Sequence, residues 1–172
     1  MQTTSSRNSL LAVAILIALA ALSRLIPHAH NFTACGALAL FAGAKLNDRR
    51  LAYLLPFSAL LISDLILGFH TTLLPVYACF GFIVWLGSRL SKNTSFRKTV
   101  LYSLTGSVVF FLITNLPIWY GGYYPLDLHG LLTSYAAGIP FFRNQIIGDL
   151  VYTGLLFGSY AFVEKSRLLK TV

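Results

Sequence analysis

Apolar residues gather into six blocks along the chain: Ser9 to Ile26, Thr33 to Lys45, Leu51 to Gly68, Leu73 to Leu90, Val100 to Ile118 and Gln145 to Val163. A helix needs roughly 20 apolar residues to cross a bilayer, and five of the blocks approach that length. The second is short for a full crossing, so it is expected to be tilted or sheltered by its neighbours. Between the fifth and sixth blocks, Trp119 to Asn144 is long and carries Gly121, Gly122, Pro125 and Pro140. That stretch is predicted to be an outer loop with a short interfacial helix around Leu126 to Ile139. Neither an internal repeat nor a low-complexity segment interrupts the pattern.

Composition agrees with the blocks. Of 172 residues, 56% are hydrophobic and 10% charged, far more apolar than an ordinary soluble domain. The prediction is a single all-α domain over 1–172, an integral membrane protein with six transmembrane helices. The net charge of +8 does not point to nucleic acid, because the basic residues sit at the ends of apolar blocks instead of forming a stripe with interleaved aromatics. Arg7 precedes block one; Lys45, Arg49 and Arg50 follow block two. Arg89, Lys92, Arg97 and Lys98 follow block four, and Lys165, Arg167 and Lys170 follow block six. The opposite connections hold Arg143, with Arg24 near the end of block one. The positive-inside rule then makes both termini cytoplasmic. Arg7 ahead of an apolar run containing Ala18-Leu19-Ala20 also resembles a cleaved signal peptide, but cleavage would spoil the charge alternation, so block one is expected to stay.

In that topology His28, His30, His70 and His129 fall on the outer side, with Asn31, Trp119, Tyr120, Tyr123, Tyr124, Arg143 and Asn144. Asp64 lies about one turn below the outer end of span three, Asp149 about one turn into span six, and Asn115 is similarly placed in span five. Ionisable groups within a membrane are costly and face a bundle interior or a watery cavity, paired with something. Collected at one end, they predict a pocket that opens outward, as a binding subunit has, and not the polar path through the whole thickness that a channel needs. Asp149 either pairs with Arg143 or faces the pocket. Asp64 has no cation near it in sequence, so its partner or ligand must come from elsewhere. His28 and His30 are either interfacial residues around a turn at Pro27 or pocket residues. The boundary aromatics fit interfacial anchors better than ligand walls.

Cys79, in LPVYACFGFIVWLG, lies at pocket depth in span four. Four readings stay open for it: a small packed hydrophobe, a disulfide partner of Cys35 at the outer start of span two, a soft ligand for a transition metal, or a nucleophile assisted by His70 and Asp64. No local motif supports the last.

SRLIPHAHNFTACGALALFAGA (Ser23 to Ala44), LLISDLILGFH (Leu60 to His70) and PFFRNQIIGDL (Pro140 to Leu150) resemble the small six-helix substrate-binding S-components of energy-coupling-factor vitamin transporters. Among these the chain is most similar to the solitary BtuM group, implicated in vitamin B12 uptake across the inner membrane of Gram-negative bacteria. The resemblance implies a periplasm-facing cobalamin pocket in which a cysteine sulfur, matched by Cys79, ligates the corrin cobalt and assists removal of cyanide from cyanocobalamin. It matches His28, Asp64 and Arg143 to polar positions at the ligand, where Asn31, His70 and Asn115 join them as candidates because they fall at the same outer end; the cobalamin is cargo and not a cofactor of the protein's own. The small residues Ala14, Ala18 and Ala21 share a face of span one; in S-components a comparable face docks the transmembrane coupling subunit, while packing within the bundle explains it equally well. No phosphate-binding GxxxxGK[ST] loop occurs in the chain, so an ATP-driven step would need a partner module. The alternatives are an S-component for another small vitamin, a membrane enzyme using Cys79, His70 and Asp64, and an assembly subunit without a ligand.

Overall fold

The computed structural model describes the backbone of residues 2–90 and 95–169, and the side chains of 14–90, 95–162 and 164. Arg7, Lys92, Lys165, Arg167 and Lys170, used above for orientation, lie outside the described side chains. The described chain is all helix: α1 (Gln2–Leu25), α2 (Cys35–Lys45), α3 (Arg49–Leu67), α4 (Leu73–Ser88), α5 (Phe96–Ile118) and α6 (Leu128–Leu169), with a wide turn of π type at Trp119–Tyr123 after α5. Among the described residues two stretches, Arg49–Leu67 and Phe96–Tyr123, are long and apolar enough to cross a membrane.

Side-chain caps set several boundaries. Asp48 accepts from the backbone N–H groups of Arg50 and Leu51 at 2.8 and 3.4 Å and starts α3. Ser95 accepts from Lys98 N at 3.4 Å at the start of α5. Such acceptors satisfy N–H groups that have no partner within the helix. Gly68 ends α3 with φ 92°, a conformation that costs a glycine little.

The short second block forms the centre of the bundle, and α2 touches each of the other five helices. Its side chains from Ala37 to Ala42 are all buried. Leu38 and Leu40 pack with Leu55, Leu60 and Val84 in one core. Backbone meets backbone where α2 crosses α4: a Cβ on Gly43 would overlap the Val84 carbonyl, and one on Gly87 the Leu40 carbonyl. Glycine at both positions allows an approach no side chain would permit.

The predicted loop from Trp119 to Asn144 is largely helical. Its second half, the expected interfacial helix, is continuous with the predicted sixth span in one 42-residue helix, about 63 Å long at 1.5 Å per residue. Asp127 Oδ1 accepts from Gly130 N at 2.7 Å and starts it. Pro140 does not end it: an internal proline removes one backbone bond, here to the Ala136 carbonyl, and packing on α5 keeps the flanking turns together. Tyr135 donates to the Leu112 carbonyl at 2.5 Å, and Phe111 stacks on Phe142 at 4.4 Å between ring centroids.

Candidate ligand cavity

Where α1, α3 and α5 end, the bundle encloses a cavity of about 680 Å³. The connection between α1 and α2 makes one rim. Asn31 turns the chain with φ 63°, a left-handed conformation asparagine tolerates better than most residues. Ser23 donates to the Ala20 carbonyl and accepts from Ala34 N at 3.0 Å, binding the connection to the end of α1. His28, His30 and Asn31, all exposed, line the mouth, with His70 and Thr72 opposite. His28 Nδ1 lies 2.6 Å from the Ile26 carbonyl, His70 Nδ1 lies 2.9 Å from Thr72 Oγ1, and the His30 ring meets Phe141 edge-on at 5.5 Å.

The walls are mixed. Val76, Phe80 and Ile83 face inward from α4; Phe110, Phe111 and Asn115 from α5; Ser134, Gly138 and Phe141 from α6. Asn115 Nδ2 donates to the Phe111 carbonyl at 2.7 Å, and its Oδ1 lies against Gly138, where a Cβ would collide with it. At the floor are Cys35 and Gly36 of α2 with Gln145 and Asp149 of α6; beyond them lies the apolar core.

Two charged groups line this space in different states. Arg24 is paired with an opposite charge: Nη2 is 2.7 Å from Asp64 Oδ1, while Nη1 donates to Ser63 Oγ at 2.6 Å and to the Leu60 carbonyl at 3.3 Å. Tyr77 donates to the other Asp64 oxygen at 3.0 Å. Asp149 is held by neutral groups, accepting from Ser107 Oγ at 2.7 Å and from Gln145. Gly36 packs directly on its carboxylate, and a Cβ there would overlap Oδ1.

Several sequence-predicted residues therefore stand elsewhere than expected. Arg143 is exposed and outside the cavity, so the Arg143–Asp149 pair is corrected to Asp149 with Ser107 and Gln145. In a loop the two charges could have met; in a helix, six residues are about one and two-thirds turns, which sends them to different faces. Asp64 sits behind Arg24, outside the lining. Cys79 is buried and does not line the cavity: Val76, Phe80 and Ile83 supply the lining from α4, and at about 100° per residue Cys79 falls at the edge of the stripe they form. Cys35 reaches the lining instead, and both thiols are free. Cys79, His70 and Asp64 form no hydrogen-bonded triad, because His70 contacts Thr72 while Asp64 is held by Arg24 and Tyr77. Of the alanine face, Ala14 and Ala18 are exposed, but Ala21 is buried in the bundle. His28, Asn31, His70 and Asn115 do line the cavity.

Arg24 is the main residue that sequence reasoning passed over, though Asp64 demanded a cation and Arg24 was the basic residue nearest the same end of a neighbouring block. Among the described residues no three His, Cys, Asp or Glu side chains converge as a metal site would require.

A family model matches residues 4–171, nearly the whole chain. The chain belongs to DUF6580, a family of unknown function. No curated protein and no solved structure matches it. In this DUF6580 chain the cavity, built from both ends of the sequence, carries the functional reading.

Proposed function

We propose that this protein is a six-span protein of the cell inner membrane, both termini cytoplasmic, that binds a small organic molecule in its outward-facing cavity and serves its uptake. The observation that carries this is the cavity itself, with polar groups from α1, α2, α5 and α6 at one end of an apolar bundle and a closed core below. Its volume lies in the range of pockets that enclose drug-sized ligands. The bundle's exterior supports the membrane assignment: Leu54, Leu65, Leu74, Leu101 and Leu155 are all more than half exposed, an apolar surface that soluble monomers rarely carry.

Cobalamin is the ligand that the family resemblance suggests. In a cavity of this size the corrin would enter by one face, its remainder lying in the mouth beside His28, His30 and His70. Cobalt ligation by Cys79, which is buried outside the cavity lining, would require the α4 lining to rearrange. A smaller vitamin is the second reading, favoured by the shielding of Cys79 and by the cavity volume. An energy-coupling partner would dock on the open Ala14 and Ala18 face of α1.

The test is the visible spectrum of the detergent-purified protein after incubation with cyanocobalamin and removal of free ligand, comparing wild type, Cys79→Ala and Cys35→Ala. Bound corrin with shifted bands that one of the two substitutions abolishes identifies cobalamin and the ligating thiol. No bound corrin removes cobalamin, and thermal shifts against other vitamins then judge the binding function, since a ligand of the native state raises apparent stability.

A further inference from the structure

Arg24 and Asp149 both line the cavity, but only Arg24 has an opposite charge beside it. The guanidinium is neutralised by Asp64 at 2.7 Å, and two further acceptors, Ser63 Oγ and the Leu60 carbonyl, occupy its Nη1. Asp149 is 6% exposed, and its partners are a hydroxyl and an amide. A carboxylate offers about four acceptor sites, of which Ser107 and Gln145 take two, and Asp149 is part of the cavity lining. A buried ion with only neutral partners is expensive unless a counter-charge arrives. Around it the walls are aromatic: Phe80, Phe110, Phe111 and Phe141 line the same space, with Phe80 and Phe110 packed edge to face at 5.7 Å. Aromatic faces attract cations, most strongly where water is excluded. A carboxylate at the floor below phenylalanine walls is the combination that selects a positively charged ring.

We infer that the cavity takes a ring-bearing organic cation, such as a pyridinium or thiazolium, with its charged nitrogen directed at Asp149 and its ring among the phenylalanines. This rests on the binding function proposed above and names the ligand class for that same cavity. Gly36 has a part in it: with hydrogen in place of a Cβ, α2 lets the carboxylate remain at the floor.

The test is equilibrium dialysis of the purified full chain in detergent with a matched pair, 1-methylnicotinamide (a permanent cation) and nicotinamide (neutral), alongside thiamine, biotin and cyanocobalamin. The expected result is at least tenfold tighter binding of 1-methylnicotinamide than of nicotinamide, or of thiamine than of biotin, with the difference erased in Asp149→Asn. Equal affinities within both pairs, or binding of only neutral or anionic members, overturn the cation inference and leave the binding function standing. No binding by any member overturns both. Should Asp149→Asn fail to fold, Cys35 in a Cys79→Ala background reads the cavity without it. With each rate divided by that reagent's rate on a small free thiol in solution, a cationic methanethiosulfonate should modify Cys35 at least tenfold faster than an anionic one of similar size; equal or reversed normalised rates overturn the inference.

Discussion

Arg24 at the end of α1 meets Asp64 near the end of α3 at 2.7 Å, and Tyr77 of α4 closes on the same carboxylate at 3.0 Å. Three helices are thereby fixed to one another behind the cavity wall. Removing one member of a buried pair strands the other charge, at a cost of about 3–5 kcal/mol. Asp64→Leu and Arg24→Met are each expected to lower the unfolding midpoint in detergent sharply. The double variant should lose much less than the sum, and a strictly additive cycle would show that the pair is not coupled.

Gly43→Ala and Gly87→Ala should each push α2 and α4 apart, because the new methyl group meets a carbonyl of the facing helix. Overpacking of this kind costs about 1–3 kcal/mol and occasionally more. Gly154, with open space where its Cβ would lie, is the control: Gly154→Ala should be neutral or slightly stabilising, because alanine is the better helix former. Chemical unfolding of the three variants checks the order.

The two cysteines should separate by reactivity. A small neutral thiol reagent entering the cavity should reach Cys35 first, since Cys35 lines the cavity and Cys79 does not. Mass spectrometry of the labelled, folded protein should find modification at Cys35 well before Cys79, the two becoming equal on unfolding. Faster labelling of Cys79 would mean that the α4 wall opens readily.

Asp127→Ala should cost about 0.5–2 kcal/mol, the usual loss of an N-cap, by removing the acceptor that holds Gly130 N at 2.7 Å. Faster amide exchange confined to the first turn of α6 is the expected signature; exchange spreading past Pro140 would show that the upper half of the helix depends on its cap.

Much of the helical plan was legible in the sequence because block length is a local property. Thr33 to Lys45 was too short for a crossing, and α2 is the sheltered centre that this shortness suggested. Within Trp119 to Asn144, Gly121, Gly122 and Pro125 do mark a break, with Gly122 at φ 90° and no helix between Tyr123 and Leu128; Pro140 misled, because the packing of Phe142 on Phe111 and Tyr135 on Leu112 that carries α6 past it is tertiary. The polar cluster was visible as a set of residues near one end, but not its pairing. Whether Asp149 meets Arg143 depends on whether the chain between them is loop or helix, and whether Cys79 or Phe80 faces the cavity depends on helix rotation; block boundaries good to a few residues fix neither.

The length of α6 makes it a rod that reads one end of the bundle at the other. Ser134 and Gly138 above Pro140 and Phe141, Gln145 and Asp149 below it touch the cavity, while Phe157 and Tyr160 clasp Lys45 of α2, its ammonium 4.6 Å from the Tyr160 ring. A molecule that tilts the upper half must either hinge the rod at Pro140 or drag the tyrosine off its lysine. Tyr160 is thus a built-in gauge of whether cavity occupancy is absorbed locally or carried to the far end of the bundle.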